Sequence, residues 1–341
     1  GGVMKKINTV DSVGHVLCHD ITKIIPGEFK GRAFKKGHVV KEEDIKKLLS
    51  LGKDHLYVFE KEEGMVHEND GAIFLKDITA GKNLEFSEIK EGKIDFISKV
   101  DGLLKVDVEK LFKLNCIDDI MMATLHNNYI VHKGLKVAGT RVIPLMVEQE
   151  KLDKAKEVVR EEKIINVVPF KKKKVGIVTT GNEVYHKRIV DKFGPVMKEK
   201  MKAYDCQILG QIICPDDTFI IKEAIDNFLS QGAEIILCTG GMSVDPDDLT
   251  PAAIKMSGAD IITYGSPILP GAMFLLAYNK NATILGIPGC AMYSKTTVLD
   301  VILPRILIDE KLTKEDIARY GHGGLCMNCE VCTYPACNFA K

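Results

Sequence analysis

Residues 237–254, LCTGGMSVDPDDLTPAAI, leave an apolar run through the double glycine Gly240 and Gly241 and then set Asp245, Asp247 and Asp248 within four positions. A glycine turn between a strand and a helix presents free backbone N–H groups to an anion such as phosphate. Carboxylates beside that anion repel it unless a cation lies between them. Mg²⁺ is the natural bridge, held by one or two carboxylates and by phosphate oxygens. Three further turns have the same character. TTGNEV supplies Thr179, Thr180, Gly181, Asn182 and Glu183, CPDD supplies Asp216 and Asp217, and GIPGCAM supplies Pro288, Gly289 and Cys290. One such turn alone is commonplace, so the weight rests on their combination and order.

A second group of reactive side chains ends the sequence. Of ten cysteines, six are scattered singly and four fall in the last 16 residues, an asymmetry that points to metal at the tail and reduced thiols elsewhere. Cys326, Cys329 and Cys332 have two residues between each pair, and Cys337 follows after four more. Four thiolates on a short loop suit tetrahedral Zn²⁺ or an iron–sulfur cluster. The spacing approaches the ferredoxin-like run, but its fourth cysteine comes one residue late and proline precedes it. His322 is expected to be solvent-exposed. Cys18, Cys116, Cys206, Cys214 and Cys238 lie in or beside apolar segments and are expected as ordinary buried thiols, with Cys290 set apart from them.

The elements that position these residues form two patterns. Residues 4–165 read as a strand-rich, mixed α+β region with a helix in KEEDIKKLLSLG, closed by Gly52, and a strand, turn and strand in VHKGLKVAGTRVIPLMV. EQEKLDKAKEVVREE is a charged amphipathic helix, expected as a connector, and Lys171 to Lys174 are expected as a solvated linker. From Val175 onward strands alternate with helices: VGIVTT, GPVMKEKMKAYD, CQILGQII, DTFIIKEAIDNFLSQG and AEIILCT. That alternation predicts an α/β domain with a mostly parallel sheet and helices on both faces, whose ligands bind beyond the carboxyl ends of the strands. Thr250 followed by Pro251 predicts a capped helix start that ends at Gly258, with Asp248 in an exposed loop before it.

The order TGNE, PDD, TGGMSVDPDDLT, LPG, IPG resembles the molybdopterin-binding domain shared by molybdopterin adenylyltransferases, molybdopterin molybdenumtransferases and the competence-damage-inducible protein family. The resemblance covers about residues 173–308, within a domain expected at 173–310, and is more distant over FKKGHVVKEEDIKKLLSLGKDHLYVF and VHKGLKVAGTRVIPL. It implies a three-layer α/β/α sandwich that holds molybdopterin, or its adenylylated form, at these loops. Thr180, Gly181, Glu183, Thr239, Gly240, Gly241, Ser243, Pro270, Gly271, Pro288 and Gly289 would bind the cofactor. Asp216 and Asp248 would be catalytic, with Asp248 a ligand of Mg²⁺. The implied activity is insertion of molybdenum from molybdate with loss of AMP. Adenylylation and a non-catalytic carrier or insertion chaperone for a recipient molybdoenzyme are the alternatives, and a homodimer is implied. The sequence also departs from the pattern. Ala272 stands where molybdenumtransferases carry lysine, Cys290 and Ala291 replace an Asn-Pro pair, and residues 321–341, carrying Cys326, Cys329, Cys332 and Cys337, replace a C-terminal β-barrel.

Bulk properties narrow the classes. Lys plus Arg equals Asp plus Glu at 47 each in 341 residues, which removes the field that recruits nucleic acid. No apolar run approaches the about 20 residues that span a bilayer, and no signal peptide is evident, so a cytoplasmic protein without membrane partners is expected. Gly1, Gly2 and Val3 read as an expression scar before a natural start at Met4.

Overall fold

The computed structural model describes residues 4–60, 63–242 and 248–341; Ser243, Asp245 and Asp247 lie outside the described residues. The chain divides into two compact units. The first comprises residues 1–99, 106–125 and 134–166, and the second residues 100–105, 126–133 and 167–341. Two short segments of the stretch read as one N-terminal region thus belong to the second unit.

The first unit is mixed α+β. A strand at Met4–Asn8 pairs antiparallel with His55–Phe59, beside a hairpin of Ile21–Ile25 and Phe29–Phe34. Leu17, Val40, Leu48 and Leu56 form the core there. A four-stranded antiparallel sheet follows, ordered Leu84–Phe86, Lys93–Ser98, Lys136–Val142, Ile120–Thr124. Sequence periodicity missed the helix Glu68–Thr79, whose Gly71 breaks the apolar pattern. A Cβ on Gly71 would stand 2.9 Å from Val142 Cγ2, so glycine is what lets the helix lie against the strand. The helix Gln149–Val159 is not a connector: Leu152, Ala155 and Val159 are buried within this unit.

In the second unit we label, in chain order, strands β1 (Lys174–Thr180), β2 (Gln207–Cys214), β3 (Ile235–Thr239), β4 (Asp260–Tyr264), β5 (Leu275–Asn279) and β6 (Ala282–Ile287). Helices are α1 (Phe193–Lys202), α2 (Thr218–Ser230), α3 (Leu249–Met256) and α4 (Val298–Ile306). The sheet order is β2-β1-β3-β6-β5-β4, parallel from β2 to β6 and antiparallel at both β5 junctions. Side chains on a strand alternate between faces, so Val175, Ile177, Ile235 and Leu237 meet α1 and α4 on one side. Val178, Ile236 and Cys238 meet α2 and α3 on the other. This is the expected three-layer α/β/α sandwich. Lys171 and Lys173 are not a free linker, since both pair with Asp309 of the same unit.

Candidate functional site

The strands β2, β1, β3 and β6 end level: Thr180 lies opposite Cys214, Thr179 opposite Thr239, and Thr239 opposite Ile287. The turns that follow them therefore leave the sheet along one edge. β5 runs the other way and starts at that edge, Leu275 opposite Gly286, which brings the turn of Pro270 and Gly271 to the same place. Five turns chosen from sequence are thus neighbours because a parallel sheet puts all its strand ends together.

Close packing explains the glycines. Gly240 has φ +81°, and a Cβ there would stand 2.0 Å from the Thr180 carbonyl oxygen. Gly241 has φ +62° and presses on Thr250. The Thr250 hydroxyl donates to the Gly240 carbonyl at 2.8 Å. Thr250 is therefore not the helix cap: α3 begins one residue earlier, and Thr250 ties its first turn back to the glycines. Pro251 still falls in that first turn, where its missing N–H costs nothing. Gly271 lies against Val298, whose backbone N–H donates to the Pro270 carbonyl at 3.1 Å, fastening this loop to the start of α4.

The two aspartates are placed differently. Asp248 is not in an exposed loop; it is 9% exposed at the N-cap position of α3, yet its side chain makes no capping bond. Instead Oδ2 accepts from the Tyr264 hydroxyl at 2.8 Å. Asp217 caps α2 by accepting from the N–H groups of Phe219 and Ile220, which leaves Asp216 for other work. Asp216 is exposed, and its backbone N–H donates to Asn182 Oδ1 at 2.8 Å, joining two of the turns. Glu183 is exposed in the short helical turn Asn182–Tyr185, Gly289 is exposed and Pro288 buried.

Sequence reasoning overlooked a polar chain beneath this edge. Gln211 Nε2 donates to Asp191 Oδ2 at 2.6 Å and to Thr179 Oγ1 at 2.9 Å, and the buried Thr239 hydroxyl donates to Thr179 Oγ1 at 3.3 Å. The available signal was a glutamine inside the apolar run ILGQII. Beside it Thr180 is 6% exposed, and its Oγ1 has no hydrogen-bond partner among the described residues. A buried hydroxyl left unpaired costs about 1–3 kcal/mol, which makes Thr180 a candidate for contact with whatever the turns at this edge bind.

The tail cysteines are free thiols, Cys326 and Cys337 half-buried and Cys329 and Cys332 exposed. The Thr296 hydroxyl, 3.2 Å from Cys332 Sγ, and the Tyr334 backbone N–H hold the Cys332 thiol below its ordinary range. Cys18, Cys206, Cys214 and Cys238 are buried as expected; burial pushes Cys214 up to about 11 and Cys238 higher still. Cys116 is exposed, contrary to expectation, because it follows the last turn of a helix with only one buried residue, Leu114. Cys290 is half-buried, and burial raises its thiol too. Among the described residues, no three His, Cys, Asp or Glu are placed to share one metal ion.

This geometry can be set beside known proteins. Residues 176–307 match the family model described as a probable molybdopterin binding domain. Residues 6–60 match a domain of unknown function (DUF8806). A molybdopterin molybdenumtransferase of Synechococcus elongatus is 26% identical over 143 residues, covering 39% of this chain and 36% of that protein. A CinA-like protein of Petrotoga mobilis is 35% identical over 111 residues, covering 33% of this chain and 27% of its own length. The chain thus spans about a third of the length of the curated relatives it matches. The crystal structure of the molybdopterin biosynthesis enzyme MoaB from Thermus thermophilus aligns at 19% identity and a TM-score of 0.33, covering 42% of this chain and 99% of that one. Among the described residues, no helix is long and apolar enough to cross a membrane.

Proposed function

We propose that the carboxyl edge of the sheet binds adenylylated molybdopterin and, with Mg²⁺, directs insertion of molybdenum from molybdate with release of AMP. The observation that carries this reading is that the turns of Gly240 and Gly241, of Asp216 and of Asp248 leave one edge of the sheet, beside a Thr180 hydroxyl with no partner among the described residues. The glycine turn and the Thr180 hydroxyl offer the polar contacts that a pterin phosphate requires. Mg²⁺ takes one or two carboxylates and completes its shell with water and phosphate oxygens, so Asp248 and Asp216 would suit a metal that arrives with its substrate. When bound, Mg²⁺ would neutralise charge developing on the phosphoanhydride. Tyr264 fixes the orientation of Asp248, and Asn182 fixes the turn that carries Asp216.

One observation favours a second reading. Ala272 is exposed at the position where the resemblance puts a lysine, so that loop brings no cation to molybdate or phosphate. A carrier or insertion chaperone that binds the pterin and hands it to a molybdoenzyme needs no such cation. A homodimer belongs to either reading and is checked by light scattering.

Given adenylylated pterin and Mg²⁺, the protein should release AMP only when molybdate is added, and Asp248→Asn should abolish that release. Pyrophosphate from pterin and ATP would move the assignment to adenylylation. Silence in both assays with pterin binding retained would establish the carrier reading.

A further inference from the structure

The four tail cysteines belong to no turn of the pterin edge, yet the fold brings all four to one place. Cys326, Cys329, Cys332 and Cys337 line a single cavity of about 300 Å³, closed on its other side by the loop of Tyr293 to Thr296. That volume is the share of about ten waters, far more than one ion fills. A single Zn²⁺ with sulfurs at about 2.3 Å in a tetrahedron would need the thiols about 3.8 Å apart. The described thiols are not so gathered, since no three metal-binding side chains are placed to share an ion. A cluster in which each thiolate takes its own iron needs the wider spacing and fills the space between.

The backbone around the cavity supports the same occupant. Among the described residues, none from 327 to 335 donates a backbone–backbone hydrogen bond. One of their N–H groups turns to sulfur instead: Asn328 donates to Cys326 Sγ at 3.5 Å, so the chain curls around that sulfur. Cys326, Tyr334 and Cys337 pack against the core, while Leu325, Met327 and Val331 remain more than 70% exposed, so the stretch from Leu325 to Val331 leaves these apolar side chains in solvent. Its ends are fixed. Leu269 and Cys326 are joined through the Leu269 carbonyl, Leu269 also donates to Gly324, and Phe339 is buried in the core. Lys295 lines the cavity, which supplies positive charge where four thiolates would gather negative charge.

We propose that Cys326, Cys329, Cys332 and Cys337 ligate one [4Fe–4S] cluster, seated against the loops that carry Leu269–Pro270 and Thr296. Four thiols bind an assembled [4Fe–4S]²⁺ core by giving one thiolate to each iron, with loss of four protons and no change in oxidation state. The site stands on the tail geometry and is independent of which pterin reaction the edge performs.

The test uses the full chain, purified anaerobically or reconstituted with equal amounts of ferrous and ferric iron and with sulfide. About four irons and four acid-labile sulfides per chain are expected, with a broad visible absorption that bleaches on reduction. Cys329→Ser should lose that content, and Cys116→Ser, far from the tail in sequence and exposed, should keep it. If Cys329→Ser fails to fold, anaerobic alkylation of the wild-type chain replaces it, since the four tail thiols should be protected while Cys116 reacts. One zinc per chain without iron, two irons per chain, or tail thiols that alkylate as fast as Cys116 would each overturn the proposal.

Discussion

The Tyr264 hydroxyl donates to Asp248 Oδ2 at 2.8 Å, joining the end of β4 to the first turn of α3 and holding a buried carboxylate at the rim of the glycine turn. Removing that donor with Tyr264→Phe should cost about 1.5–3 kcal/mol, the range of one hydrogen bond to a charged group. It should also weaken Mg²⁺-dependent pterin binding more than binding without Mg²⁺. Equal weakening with and without Mg²⁺, measured by calorimetry, would remove the metal role assigned to Asp248.

The unpaired Thr180 hydroxyl makes a prediction of opposite sign for stability. Thr180→Val keeps the shape and deletes an unsatisfied buried polar atom, so thermal stability should hold or rise by up to about 1 kcal/mol. Pterin affinity should fall at least several-fold. A stabilised variant with unchanged affinity would show that the hydroxyl faces no ligand.

Gly240 should tolerate no side chain. At φ +81°, with the Thr180 carbonyl 2.0 Å from an added Cβ, Gly240→Ala combines left-handed strain with a backbone collision and should cost about 3 kcal/mol. Gly289 has nothing within 4 Å of an added Cβ, so Gly289→Ala serves as the mild control. Chemical denaturation of both variants checks the contrast.

Acid should weaken the second unit through Glu310. Burial raises its carboxyl, but Arg305, bonded through Nε at 2.8 Å and Nη2 at 3.0 Å, together with Lys105 outweighs burial and leaves it below the ordinary range. A carboxylate lowered on folding stabilises fully above its unfolded value of about 4.3 and loses that contribution as pH falls through the folded value. Glu310→Gln should cost about 2 kcal/mol at pH 7, less than the about 3–5 of a fully buried pair because Glu310 keeps 26% exposure. Melting curves of wild type and variant should converge below about pH 4.3, and a gap that stays constant into acid would contradict the pairing.

Much of this protein was determined by the sequence alone. The alternation of apolar strands and amphipathic helices after Val175 dictates a parallel sheet, because each element's period is set by near neighbours. The turns at Gly181, Asp216, Gly240 and Gly289 could be named in advance because each follows an apolar strand run, and the turn at Gly271 because the resemblance includes it. The tertiary structure decided what surrounds those turns. Tyr264 reaches Asp248 across 16 positions, Gln211 reaches Asp191 and Thr179 across neighbouring segments, and Lys171 finds Asp309 more than a hundred residues away. None of these partners is encoded in a local period. Burial behaves the same way: Asp248 read as exposed is buried, Cys116 read as buried is exposed, and the helix over Gly71 forms because a strand packs against it. A side chain's surroundings come from residues distant in the chain, and those are fixed only when the sheet assembles.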